Sequence, residues 1–286
     1  PRPTLTPDVQ TYLFAAAAQC LKARDPVQKV DLTRAAAVAW RSGALALEAS
    51  VPPAPIGEPG RPERPVLVPP RELPRRRPQS VKGRAALIHA VTHIEFNAVN
   101  LAWDAVYRFR DLPRGWYDDW VQVAAEEAEH FLMMRGRLRD LGFEYGDFPA
   151  HDGLWELARA TADDPLLRMA LVPKVMEARG LDVTPSMIGR LLAAGDTATA
   201  DCLSVILREE VGHVAAGNRW FRHLCRARGL DPEATWFDLL TRHLRGEVRC
   251  PLNWPDRRRA GFREAELERL QALCDAGAGP VGTGAP

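Results

Sequence analysis

Glu126-Glu127-Ala128-Glu129-His130 and Glu209-Glu210-Val211-Gly212-His213 set a carboxylate three residues before an imidazole twice, 83 residues apart. Residues three apart share a helical face, so Glu127 projects with His130 and Glu210 with His213. Each pair offers a carboxylate oxygen and a neutral ring nitrogen to one metal ion. That donor set suits iron, manganese and zinc. Two pairs facing across a helical bundle serve two ions, and one carboxylate from each of two other helices bridges them. Glu95 precedes Glu127 by 32 residues, and Glu177 precedes Glu210 by 33. The candidate ligands are therefore Glu95, Glu127, His130, Glu177, Glu210 and His213.

Composition does not produce this pattern by itself. Glutamate is 18 of 286 residues, and of seven histidines only His130 and His213 have Glu three positions earlier. Glu95 and Glu177 are the single glutamates of their expected helices. The alternative is that these residues sit on solvated faces. Against it, Glu95 has Val91, Val99 and Ala102 at helical spacing, and Glu210 has Ile206 and Leu207 one turn before it. A carboxylate on an apolar face is costly to bury unless paired or metal-bound. Glu177, near Pro173, Lys174 and Leu181, is less clear-cut. Glu126 and Glu209 each precede a ligand glutamate. They could accept the outer ring N–H of the ligand histidine on the opposite hairpin, Glu126 from His213 and Glu209 from His130. The alternative there is an exposed position.

Four long helices must position these groups, at about 81–110, 116–142, 165–194 and 196–229. Gly115 separates the first two, Gly142 ends the second, Gly195-Asp196 splits the third from the fourth, and Gly229 closes the fourth. Asp163 or Asp164 before Pro165 starts the third. Pro173 kinks it, and Pro185 breaks or kinks it after Asp182. A long connection, 143–164, with a short helix at 153–161, lets helices two and three run parallel. The reading is an all-α, ferritin-like four-helix bundle with one long crossover. An N-terminal helical hairpin precedes it, capped by Asp8 or Thr6 and by Asp31 or Thr33. Further helices are expected at 232–246 and 263–275. The organisation is a helical segment 1–50, a Pro/Arg-rich extended linker 51–80, the di-metal bundle 81–247 and an extension 248–286 whose tail 277–286 is disordered. The linker holds ten prolines and six arginines, which excludes helix and central strand.

Apolar residues are 46% of the chain and the net charge is +1, so no global charge argues for nucleic acid or a membrane surface. No run approaches a membrane span, and Leu13 to Leu21 reads as a helix face rather than a leader peptide. The sequence has no initiator Met, so residues can precede Pro1. Five scattered cysteines, never in a C-x-x-C pair, read as free thiols in a reducing, cytoplasmic compartment.

The pattern (Asp or Glu)-Glu-x-x-His resembles the ligand helices of ribonucleotide reductase small subunits and bacterial multicomponent monooxygenases. It departs from their frequent Arg before the His, having Glu129 and Gly212. Lys82-Gly83-Arg84 through His93-Ile94-Glu95 to Trp103, the segment His151-Asp152-Gly153-Leu154-Trp155-Glu156, and Glu177-Ala178-Arg179-Gly180-Leu181-Asp182 more closely resemble the bacterial domain-of-unknown-function family 455. That likeness covers most of the chain, including the N-terminal helices and the loop from Asn253 to Phe262. The ferritin-like superfamily implies two iron ions and dioxygen chemistry. A tRNA hydroxylase acting on an isopentenyl adenosine is a more distant relative.

The leading expectation is thus a non-haem di-iron oxidoreductase that activates O2. It would be an oxygenase, hydroxylase or oxidase on an unidentified organic substrate, with an external electron donor. The alternative is a ferroxidase or metal-binding protein without organic substrate. Manganese shares the ligand set and zinc can occupy it. Monomer and dimer stay open. About 80 residues before the bundle and about 55 after it give more covering than storage needs. His89, His93 and His151 could approach a pocket, and Tyr107, Tyr117, Trp103 and Trp120 could carry electrons; structural roles are the ordinary reading for each. Arg179 and Asp182 could support the site or form a structural pair. Arg75-Arg76-Arg77 with Arg71, Lys82 and Arg84 could meet an anionic substrate or tRNA. Without an RNA-binding motif, a solvated basic linker is the expected reading.

Overall fold

Asp25, Ser80 and Asp164 each stand just ahead of a helix. Each side chain accepts a first-turn N–H that has no intrahelical partner. A computed structural model of the protein describes residues 12–47, 52–74, 78–244 and 249–277. Among the described residues the regular structure is helical. Extended pairing is confined to the isolated bridges Tyr12–Ala46 and Leu67–Ala150. No helix of the described residues is long and apolar enough to cross a membrane. The chain divides into two units, Pro1–Ala162 with Arg190–Cys202, and Asp163–Gly189 with Leu203–Pro286.

In the first unit α1 (Leu13–Lys22) and α2 (Pro26–Arg41) form the expected N-terminal pair. Asp25, rather than Asp31 or Thr33, caps α2. It accepts from Gln28 N at 2.8 Å, and Pro26 takes the first helical position, where its missing N–H costs nothing. Asp8 and Thr6, expected to cap α1, lie outside the described residues. Ser80 starts α3 (Val81–Arg108) by accepting from Gly83 N at 3.0 Å. α4 (Arg114–Asp140) packs along α3, and the short turn 109–113 makes them antiparallel. α1 and α5 (Gly153–Ala160) also pack on α3, and α2 packs on α4. These neighbours bury α3 on nearly every side from Gly83 to Val106. The break between α3 and α4 falls before Gly115, which lies inside α4. Asp111 turns the chain with φ 59° and Pro113 leads into the helix. Trp116 donates to the Ala105 carbonyl (3.1 Å) and Tyr117 to that of Phe109 (3.1 Å), bracing the hairpin. Gly142, at φ 82°, terminates α4 as expected.

Segment 52–74 is extended apart from a 3₁₀ turn at Pro70–Glu72, and it is strapped down rather than loose. Trp155 donates to the Gly57 carbonyl at 2.9 Å, and Arg61 pairs with Asp152 at 2.7 Å. Gly60 N donates to the Leu21 carbonyl at 2.6 Å. A Cβ on Gly60 would lie 2.2 Å from the Lys22 carbonyl oxygen, so only glycine admits this crossing. Arg75, Arg76 and Arg77 lie outside the described residues.

The second unit contains α6 (Pro165–Leu171), a π turn (Val172–Glu177), most of α7 (Ala178–Ala193) and of α8 (Thr197–Ala227), α9 (Pro232–Leu244), α10 (Trp254–Arg259) and α11 (Glu264–Gly277). Asp164 caps α6, accepting from Leu166 N at 2.9 Å. The expected kink at Pro173 is the π turn: proline has no N–H for the preceding turn, and the wider turn absorbs the defect. Pro173 lies hard against Gly217 of α8, where a Cβ would come within 2.3 Å of the Pro173 Cβ. Pro185, by contrast, does not break α7. Its absent N–H would strand the Leu181 carbonyl, and Asn253 Nδ2 donates to that carbonyl at 2.9 Å. Asp182 accepts from Asn253 N (2.8 Å) and pairs with Arg257 (2.6 Å), so the 253–257 segment clamps α7 at its proline.

Lys174, inside the π turn, is only 1% exposed. Its ammonium donates to Glu266 (2.8 Å) and Asn218 (2.6 Å) and lies 3.8 Å from the Trp236 ring. Burial pulls its pKa down to about 8 even though Glu266 favours the charge. Cys250 and Cys274 form a disulfide with Cα atoms 5.9 Å apart, which corrects the expectation of five free thiols; Cys20, Cys202 and Cys225 are free. Residues 278–286, expected to be disordered, lie outside the described residues, and α11 runs to Gly277.

Asn253→Ser keeps an oxygen to cap α10 and removes the amide that meets Leu181. Stranding that carbonyl is expected to cost about 1–3 kcal/mol in urea denaturation. An unchanged midpoint would show that the Asn253 amide does not sustain the helix through Pro185.

Candidate metal centre

The rotation of α4 about its axis decides what Glu127 and His130 meet. Ala124, Glu127, Ala128, His130 and Phe131 form its buried face. Glu129, on the opposite face, makes a two-pronged ion pair with Arg34 of α2, both contacts 2.6 Å. The pair is half exposed, so it fixes orientation more than it adds stability. With α4 so turned, Glu127 and His130 point toward Glu95 of α3. All three are buried, at 0%, 0% and 4% exposure. His130 Nδ1 lies 3.2 Å from Glu127 Oε2 and 3.6 Å from Glu95 Oε2. One ligand atom from each lies within 4.8 Å of the others.

Two ionised carboxylates beside one imidazole in a dry site would carry excess negative charge even with the imidazole protonated, so one carboxyl is driven toward its neutral form. Burial and then the charge of Glu127 push the Glu95 carboxyl well above its ordinary range, with His130 partly opposing them. Burial disfavours charge on His130, but its hydrogen bond to Glu127 and the nearby Glu95 carboxylate outweigh it and push the imidazole up to about 11. Glu95 Oε2 is buried, and His130 Nδ1 at 3.6 Å is farther than an ordinary hydrogen-bond partner stands. A divalent cation would answer all three features, displacing protons as it bound. The residues present fit a metal ion.

In the second unit Glu210 and His213 of α8 form the matching pair, His213 Nδ1 3.6 Å from Glu210 Oε1. His213 is 1% exposed, and the Glu210 side chain is more open at 14%. Glu177 is the last residue of the π turn and is half-buried. Among the described residues Glu177, Glu210 and His213 do not form a separate gathered group of their own. Glu126 accepts from Gln122 at 2.6 Å, and Glu209 lies 3.6 Å from Arg208.

His89, His93 and His151 have structural duties. His93 Nδ1 accepts from the Tyr145 hydroxyl (2.9 Å) while Nε2 donates to the His151 carbonyl (3.1 Å). That arrangement suits a neutral ring, and burial draws the His93 pKa down to about 4. His89 accepts from Gly146 N at 3.0 Å, and His151 from Gly153 N at 3.2 Å. Trp103 donates to Thr33 (2.9 Å), Tyr107 to the Ala54 carbonyl (3.2 Å), and Trp120 is core. Arg84 donates to the Pro78 carbonyl at 3.0 Å, whereas Arg71 and Lys82 are exposed. The expected alternative of an Arg179–Asp182 pair is not formed: Asp182 belongs to Arg257. Burial, and then the nearby charge of Arg249, hold the Arg179 guanidinium below its ordinary value. No recognisable spacing in the sequence marks Lys174, Arg249 or Asn253.

The family described as "Protein of unknown function (DUF455)" matches residues 22–268. An uncharacterized protein of Haemophilus influenzae is 44% identical over 214 residues, covering 72% of this chain and 74% of that protein. No solved structure matches the chain.

His130→Ala removes the positive partner of two buried carboxylates. In the presence of EDTA this variant is expected to lose about 3–5 kcal/mol of stability by urea denaturation. A loss below about 1 kcal/mol would mean that the three groups are not electrostatically coupled in the folded protein.

Proposed function

The chain belongs to the DUF455 family, and on that premise we propose that it is a non-haem di-iron oxidoreductase acting with O2 on an organic substrate. The observation that carries this reading is the buried grouping of Glu95, Glu127 and His130, matched by a second Glu-x-x-His pair at Glu210 and His213. In this reading α3, α4, the 165–193 helix and α8 make a ferritin-like bundle. Glu127 with His130 holds one ion and Glu210 with His213 holds the other. Glu95 and Glu177 would add a carboxylate each to hold the ions, and Glu126 and Glu209 would orient the opposite imidazoles. Two bound iron ions would supply the reduction of O2 needed to oxidise an unactivated substrate.

The chain's own contribution is placement and dryness. Burial of Glu95, Glu127 and His130 keeps bulk water from the first half of the centre. Further helices pack on α3 and α4, namely α1 and α2, and α9 packs on α6, which leads into the π turn ending at Glu177. Such covering suits a shaped substrate site more than iron storage. Insertion of one oxygen atom into a substrate leaves the other to become water with two electrons and two protons. An external two-electron donor therefore belongs to the proposal, and a cytoplasmic location would give access to one.

Anaerobic loading with Fe(II), followed by O2 uptake measured with and without a chemical reductant, tests this reading. Two irons per chain and sustained reductant-dependent uptake are expected. Iron that is oxidised once, without further uptake, would favour the ferroxidase alternative. Failure to bind two ions would remove both. Glu126→Ala and Glu209→Ala are each expected to weaken iron affinity by about 10–100-fold if they orient the imidazoles. Unchanged affinity would strip them of that role.

A further inference from the structure

A cavity of about 450 Å³ opens within the second unit, outside the candidate ligand set. Lys174, Arg179, Arg249 and Arg257 line it, and Asp182 is the one carboxylate among its lining residues. The charges do not balance. Lys174 is matched by Glu266 at 2.8 Å, and Arg257 is matched by Asp182 at 2.6 Å. Among the described residues no salt bridge is formed by Arg179 or Arg249, which leaves two positive charges on one concave wall. Apart from His243 of α9, the rest of the wall is apolar: Val175 and Met176 from the π turn, Trp236, Leu240 and Leu244 from α9, and Leu270 from α11. A guanidinium pair recognises the planar or tetrahedral oxygens of a carboxylate or phosphate, often with two bonds each. The volume suits a small organic molecule.

We propose that this cavity binds a small organic anion, its carboxylate or phosphate between Arg179 and Arg249 and its apolar body against Trp236 and the leucines. The paired cations Lys174 and Arg257 build the floor and are already neutralised. Arg179 and Arg249 are the recognition groups. The site stands on the cavity and its charge count, and it does not depend on the metal reading.

The test uses the full chain in EDTA, with octanoate, n-hexyl phosphate, inorganic phosphate and octanol as probes, followed by calorimetry and tryptophan fluorescence. Saturable one-to-one binding of octanoate or hexyl phosphate is expected, and the tighter of the two assigns the head group. Arg179→Gln and Arg249→Gln are each expected to weaken it at least about tenfold, the loss of one charge-assisted hydrogen bond. Among the described residues neither arginine holds another group by a salt bridge, so both variants should keep the parent's urea midpoint, which is measured alongside. Octanol, without charge, is expected to bind far more weakly. Absence of saturable binding, octanol binding as tightly as octanoate, or an unaltered affinity in the folded double variant would overturn the proposal. Inorganic phosphate binding as tightly as hexyl phosphate would overturn the apolar half of it. Because EDTA is present throughout, the result is independent of whether iron binds.

Discussion

A carboxylate removed from water must meet positive charge or give up its own. Glu95 and Glu127 face that constraint together on the α3–α4 hairpin, with His130 as the cation between them. Much of the first unit is arranged around this placement. α3 is enclosed by α1, α4 and α5, which denies Glu95 solvent. The Arg34–Glu129 pair sets the outward face of α4, and hence the inward one. A histidine network at His89 and His93 pins the 145–151 segment over α3. Metal binding and folding draw on the same burial: the enclosure that makes the charges costly also makes a cation welcome.

The second unit meets a comparable problem with the opposite sign. Lys174 is an ammonium in the core, and the C-terminal third of the chain supplies its answer through Glu266 and three aromatic rings. The π turn that holds Lys174 ends at Glu177. One irregular turn therefore joins the wall of the anion cavity to a candidate ligand. Gly217 allows Pro173 to approach α8 closely, one turn beyond His213. Asn253 lets α7 continue past Pro185. These are local faults in helical geometry that groups distant in sequence make tolerable.

Helices and their ends were legible because the signals are local. Asp164-Pro165, Gly142 and Gly195 act within a few residues, and the structure places the boundaries where they point. The Glu-x-x-His pairs were legible because three-residue spacing is itself the geometry. Long-range contacts were not. Whether Pro185 breaks a helix depends on Asn253, and no neighbouring residue announces that. The 51–80 segment reads as a linker from its prolines, but Gly57, Gly60 and Arg61 bind it to α5, α1 and Asp152. The cysteine pattern suggested free thiols because Cys250 and Cys274 lie 24 residues apart and share no motif. The surplus charge at Arg179 and Arg249 among the described residues emerges only once the partners of Lys174 and Arg257 are known.

The central claim is that the duplicated Glu-x-x-His spacing encodes one centre for two ions. Anomalous diffraction at the iron absorption edge, from crystals loaded anaerobically with Fe(II), addresses it most directly. Two iron peaks per chain are predicted, one bonded by Glu95, Glu127 and His130 and the other by Glu210 and His213 with Glu177 in reach. A chain with no iron at Glu95, Glu127 and His130, or with a single ion and an empty Glu210–His213 pair, would contradict the account.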